Sequence, residues 1–112
     1  MAEIRNVTPD EARRMADEGA LLLDVREVEE WVAGHAPDAT HVPMSTLPDR
    51  ASEIPQDRVV VCVCRVGGRS AAVTDALAQA GWEAVNLAGG MEAWAAAGLP
   101  VVTDEGSSGY VA

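Results

Sequence analysis

Apolar positions along the chain fall into two patterns. Leu21-Leu22-Leu23 and the run from Arg58 to Val63, which is Val59-Val60-Val61-Cys62-Val63 after its first residue, are continuous and apolar, as in strands buried on both faces. Ile4 to Val7, Thr40 to Val42 and Trp82 to Leu87 read as further strands, with Val101 and Val102 as an edge pair. Helical spacing fills the intervals. Thr8-Pro9-Asp10-Glu11 reads as a helix start, with Thr8 as N-cap, Pro9 in the first helical position and Glu11 closing a capping box. Ala12, Met15 and Ala16 continue it to a stop at Gly19. A short amphipathic helix is predicted over Glu27 to Ala33, with Val28, Trp31 and Val32 facing inward and Gly34 ending it. Between Met44 and Gln56 there is room for a turn or two, around Asp49 to Glu53. Further helices are predicted from Ser70 or Ala71 to Ala80, and from Met91 to Ala97. Strands alternating with helices of about ten residues argue an α/β fold: one domain, a central, mostly parallel sheet of about five strands, and helices on both faces.

The length of 112 residues fits this single domain, expected over residues 1–103. Residues 104–112 are small and polar and are expected to form a disordered tail. All eight cations are arginine against 18 carboxylates, a formal net charge of −10, which argues against nucleic acid or anionic membranes as partners. No secretory leader and no membrane span is read from the sequence. Two cysteines at C-x-C spacing make neither a disulfide framework nor a zinc site, so the thiols are expected reduced and the chain cytoplasmic, with no metal or cofactor required.

The candidate chemistry lies where the buried strand ends, in Cys64-Arg65-Val66-Gly67-Gly68-Arg69-Ser70. The C-terminal end of a buried strand, with a helix N-terminus behind it, is where an α/β fold places a reactive group. Gly67 and Gly68 permit a tight curl and clear the approach, and such a curl turns N–H groups inward as an anion nest. The following helix adds positive potential, and Arg65 and Arg69 are permanent cations beside the thiol. All of this favours a nucleophilic thiolate at Cys64. Cys62 faces the same way as Cys64 in a regular strand. It reads as a packed core thiol, because an extended i, i+2 pair sits near the limit of disulfide reach. His35 reads as satisfying turn hydrogen bonds rather than acting as a base, and His41 as incidental.

Four motifs in order resemble the rhodanese, or sulfurtransferase, family: Leu23-Asp24-Val25-Arg26, Gly34-His35-Ala36-Pro37-Asp38-Ala39, the Cys64–Ser70 loop, and Leu87-Ala88-Gly89-Gly90-Met91-Glu92-Ala93-Trp94 with Gly98-Leu99-Pro100-Val101. The resemblance covers residues 4 to 102. It implies a sulfane-sulfur relay in which Cys64 takes sulfur from a small anionic donor, thiosulfate or a persulfide, and holds it as a persulfide. Cys64 then passes the sulfur to a thiol or cyanide acceptor, or to a partner protein. In this reading Arg65, Val66, Gly67, Gly68 and Arg69 bind substrate. Arg69 leans towards a structural part, and Arg65 is the more exposed contact. Asp24 and Arg26 read as an ion pair bracing the strand ends, with Arg26 also a candidate substrate contact; Asp24, His35 and Ser70 support the site. Asp38 stands where the signature has glycine, which Asp tolerates. Glu29 and Glu30 beside the entrance would repel a dianion unless they point away, which counts against thiosulfate.

Cysteine phosphatases and arsenate reductases on the same scaffold use C-x5-R spacing; Cys64 and Arg69 are separated by four residues, a nest sized for one sulfur atom. A non-catalytic binding module would lack the cysteine, and a protein-to-protein sulfur carrier would keep it. A monomer is expected.

Overall fold

The computed structural model describes residues 3–112. Five parallel strands form one sheet in the order β1-β5-β4-β2-β3: β1 Asn6–Val7, β2 Leu21–Asp24, β3 Thr40–His41, β4 Val60–Val63 and β5 Ala84–Leu87. The helices are α1 Pro9–Asp17, α2 Val28–Ala33, α3 Leu47–Arg50, α4 Gly68–Gln79 and α5 Gly90–Ala96. Short 3-10 turns at Met44–Thr46 and Ala51–Glu53 flank α3.

Because side chains alternate across a strand, the uninterrupted apolar runs feed two separate cores. Leu22, Val61, Val63, Val85 and Leu87 pack with Ala12 of α1 and with Met91 and Trp94 of α5. On the opposite face, Leu23, Val60, Cys62 and Cys64 pack with Val73 and Leu77 of α4 and with Ile54. Placing helices on both faces requires strands that are apolar on both sides, as the sequence shows.

The Thr8 capping box forms: the Thr8 N–H donates to Glu11 Oε1 at 2.9 Å, and the Glu11 N–H donates to Thr8 Oγ1 at 3.2 Å. These bonds hold the Glu11 carboxyl below the usual carboxylate range. Asp38 takes φ = 64°, the left-handed turn for which the signature uses glycine.

Three expectations are corrected. Val28 and Val32 do not face inward; they are 52% and 59% exposed. A six-residue helix has one side to bury, and Trp31 takes it, its ring stacked with those of His35 and His41 at centroid distances of 3.6 and 4.7 Å. Val102 joins no sheet edge and instead bridges antiparallel to His35 and to Ser108. Residues 104–112, read as disordered from composition, fold back on the domain. The Gly109 N–H donates to Val101 O at 2.8 Å and the Tyr110 N–H to Ala33 O at 3.0 Å. Backbone pairing holds them, with Val111 packed against the first core. Their approach explains Gly34, where a Cβ would lie 2.6 Å from the Tyr110 backbone.

Candidate active site

β4 delivers Cys64 to the C-terminal edge of the sheet, and α5 shapes the backbone beyond it. The Met91 N–H donates to Cys64 O at 2.8 Å and the Glu92 N–H to Arg65 O at 3.0 Å. A peptide's C=O and N–H point in opposite directions, so anchoring these carbonyls on α5 turns the following N–H groups away from α5. The approach needs a glycine at position 90: a Cβ there would collide with Cys64 O and lie 2.5 Å from Arg65 O. Gly67 takes φ = 108° and leads into α4. A Cβ at Gly68 would meet nothing within 4 Å, so its contribution is an open entrance.

The curl closes on the sulfur. The Gly67 N–H donates to Cys64 Sγ at 3.1 Å, and Ser70 Oγ lies 3.2 Å from it. Burial is the largest single influence on the Cys64 thiol and opposes ionisation. The Ser70 hydroxyl and the backbone N–H groups of Ser70, Gly67 and Val66 together outweigh it, so the thiol sits below its ordinary value. Cys62, in the same strand, is pushed up to about 11 by burial, partly offset by Thr74. It remains a protonated core thiol.

Both loop arginines are paired with carboxylates. Arg69 pairs through two bonds with Glu30 of α2, at 2.7 and 2.8 Å, and Arg65 donates from Nε to Glu92 of α5 at 3.0 Å. Each positive charge beside the thiol therefore has a carboxylate on it. The Glu30 carboxyl is held low by its bond from Arg69, and the Arg69 guanidinium is strengthened in return. Glu30 thus neither points away nor stands free to repel; it neutralises Arg69.

Arg26 is no substrate contact. It is fully buried, its Nε and Nη2 donate to Asp24 at 2.8–3.1 Å, and Nη2 also donates to Gly34 O at 2.8 Å. Asp24 and Arg26 brace the strand end. His41 is not incidental, since its Nε2 donates to Arg26 O at 2.7 Å. His35 holds Ala36 O at 3.1 Å and Asp104 at 2.9 Å, tying the signature turn to the C-terminal segment. Neither imidazole is bonded to the sulfur.

Three further residues complete the site: Glu92 and Gly90, the docking point of α5, which lie in the C-terminal motif but had no role assigned by it, and Asn86, whose Oδ1 lies 2.6 Å from Ser70 Oγ. The signal for Asn86 is a polar side chain inside the apolar run Val85 to Leu87. Depressions of about 200 and 490 Å³ lie elsewhere, around Arg13, Arg58 and Trp94 and around Arg5 and Arg58.

A strand of a parallel α/β sheet that ends in a cysteine cradled by its own loop is the architecture to set beside known folds. The chain belongs to the rhodanese-like family: the family profile for the rhodanese-like domain matches residues 8–97. It is 48% identical over 97 residues to a sulfurtransferase of Allochromatium vinosum, covering 85% of this chain and 91% of that one. It is also 30% identical to the thiosulfate sulfurtransferase GlpE of Pseudomonas savastanoi, covering 86% and 92%. Among solved structures it resembles a rhodanese-related protein of Thermoplasma volcanium, with a TM-score of 0.84 and 29% identity over 89% of this chain and 99% of that chain.

Proposed function

We propose that the protein is a sulfurtransferase in which Cys64 is nucleophile and sulfur carrier. The observation that supports this best is the pair of groups placed to donate to one sulfur once it is ionised, the Gly67 N–H at 3.1 Å and the Ser70 hydroxyl at 3.2 Å. With a persulfide donor RSSH, the Cys64 thiolate attacks the outer sulfur and forms an S–S bond. The donor's own S–S bond breaks and RS⁻ leaves. An acceptor thiolate or cyanide then attacks the outer sulfur of the Cys64 persulfide and regenerates the Cys64 thiolate. The carried sulfur is anionic when deprotonated, and each charge-assisted contact to it contributes about 1.5–3 kcal/mol.

The geometry favours persulfide donors over thiosulfate. Arg65 and Arg69 are both paired with carboxylates, and the chain carries a formal charge of −10. A dianion therefore meets no unpaired loop cation, whereas a persulfide presents at most one charge at its sulfur. The same pairing favours a protein-borne persulfide, which would make this domain a link between sulfur-carrying proteins. The two classes of donor are compared by turnover to cyanide and to a thiol acceptor, with p-nitrophenyl phosphate hydrolysis as the third arm. Faster turnover from a low-molecular-weight persulfide than from thiosulfate, without phosphate hydrolysis, is expected. Efficient phosphate hydrolysis without sulfur transfer would overturn the proposal.

A further inference from the structure

Ser70 and Asn86 are buried, at 0% and 4% exposure, and the mechanism above leaves Asn86 unused. Ser70 Oγ has one proton and faces two acceptors, Cys64 Sγ at 3.2 Å and Asn86 Oδ1 at 2.6 Å. Across the sheet, Asn86 Nδ2 donates to Asn6 Oδ1 at 3.0 Å and to Gly67 O at 3.3 Å. This arrangement suits the thiol: the Cys64 S–H donates to Ser70 Oγ, and the Ser70 O–H donates to Asn86 Oδ1.

Once the thiol proton leaves for solvent, the Ser70 proton is needed at the sulfur. Oγ would then set a lone pair against Asn86 Oδ1 at 2.6 Å, a contact without a proton in it. Turning the Asn86 amide by half a revolution relieves the 2.6 Å conflict and leaves only the looser contact with Gly67 O, now 3.3 Å from Nδ2, between two oxygens. Nδ2 then donates to Ser70 Oγ, and Oδ1 accepts from Asn6, whose exposed amide turns with it. Gly67 O keeps the Ala71 N–H at 3.1 Å. Ser70, Asn86 and Asn6 then keep their hydrogen-bond partners in both states.

We propose that Asn86 is a positioning residue whose amide orientation steers the single Ser70 hydroxyl proton onto Cys64 Sγ when the thiol ionises. This rests on the reading of Cys64 as the nucleophile. The charged groups around the cradle, Arg65 with Glu92 of α5 and Arg69 with Glu30 of α2, stay unchanged in every variant below.

The test is the pH midpoint of Cys64 alkylation by iodoacetamide, resolved by peptide, in wild type, N86D, S70A and S70A/N86D. N86D offers only acceptor oxygens when ionised and holds the Ser70 proton away from sulfur. It is expected to raise the midpoint by about one unit more in the wild-type background than in the S70A background. Equal rises in both backgrounds would show charge acting directly on the thiol and would overturn the relay, as would no rise at all. Should N86D fail to fold, N86L serves in the same cycle: a midpoint shift that requires Ser70 supports the relay, and no shift or an equal shift overturns it. Persulfide formation by wild type is measured in parallel. Its absence would count against sulfur transfer while leaving the midpoint cycle to decide the relay.

Discussion

Cys62 and Cys64 stand two positions apart on one strand, and the fold gives their thiols opposite fates. Cys62 points into the core beneath α4 with only Thr74 to relieve it, so burial decides and the proton stays. Cys64 sits where the strand gives way to a curl, and donors decide. Removing one donor has a calculable effect. Ser70→Ala costs the thiolate a charge-assisted bond of about 1.5–3 kcal/mol, which corresponds to a rise of about one to two units in the Cys64 midpoint. The alkylation rate against pH reads this directly. Cys62 leaves its own signature in stability. Its folded value lies above the ordinary value of 9.0, at about 11, so the unfolded chain releases this proton first as pH rises. Stability is therefore expected to fall between about pH 9 and 11 by up to about 2–3 kcal/mol. Chemical denaturation of Cys62→Val, which carries no proton, should show that fraction of the alkaline loss removed.

At the scale of elements, the loop owes its shape to the helix beneath it. Gly90→Ala places a Cβ against Cys64 O and Arg65 O at a residue with φ = 57°. It is expected to displace the cradle and raise the Cys64 midpoint, with sulfur transfer falling in step. The strand-end brace is a second such element. Arg26→Leu leaves the Asp24 carboxylate buried without its partner and should cost about 3–5 kcal/mol in denaturant unfolding.

What was legible in the sequence follows from the range of each interaction. The capping box, the strands and the curl are local, so their residues stand close together in the chain. The Arg26 ion pair spans two residues and was legible as a brace. The partners of Arg65 and Arg69 lie 27 and 39 residues away, and no local pattern assigns them. The inward face of α2 was misread because periodicity gives the sides of a helix but not which one the fold covers.

Across the whole molecule, charge and tail set the remaining expectations. A net charge of −10 repels thiosulfate, and added salt screens like charges, so any thiosulfate turnover is expected to rise with ionic strength while turnover of a neutral donor stays flat. No helix is long and apolar enough to cross a membrane among the described residues. Residues 103–112 close the signature turn through the His35–Asp104 contact at 2.9 Å and backbone bonds to Val101 and Ala33. Removing them should lower the melting temperature without moving the Cys64 midpoint, because they touch the turn rather than the cradle.

The central claim is that Cys64 alone takes and holds the sulfur. Its most direct test is the intact mass of wild type, Cys64→Ser and Cys62→Ser after incubation with a persulfide donor and removal of the excess. A gain of one sulfur atom is expected in wild type and in Cys62→Ser, none in Cys64→Ser, and loss of the gain when a thiol acceptor is added. A gain that survives Cys64→Ser and disappears in Cys62→Ser would contradict the claim.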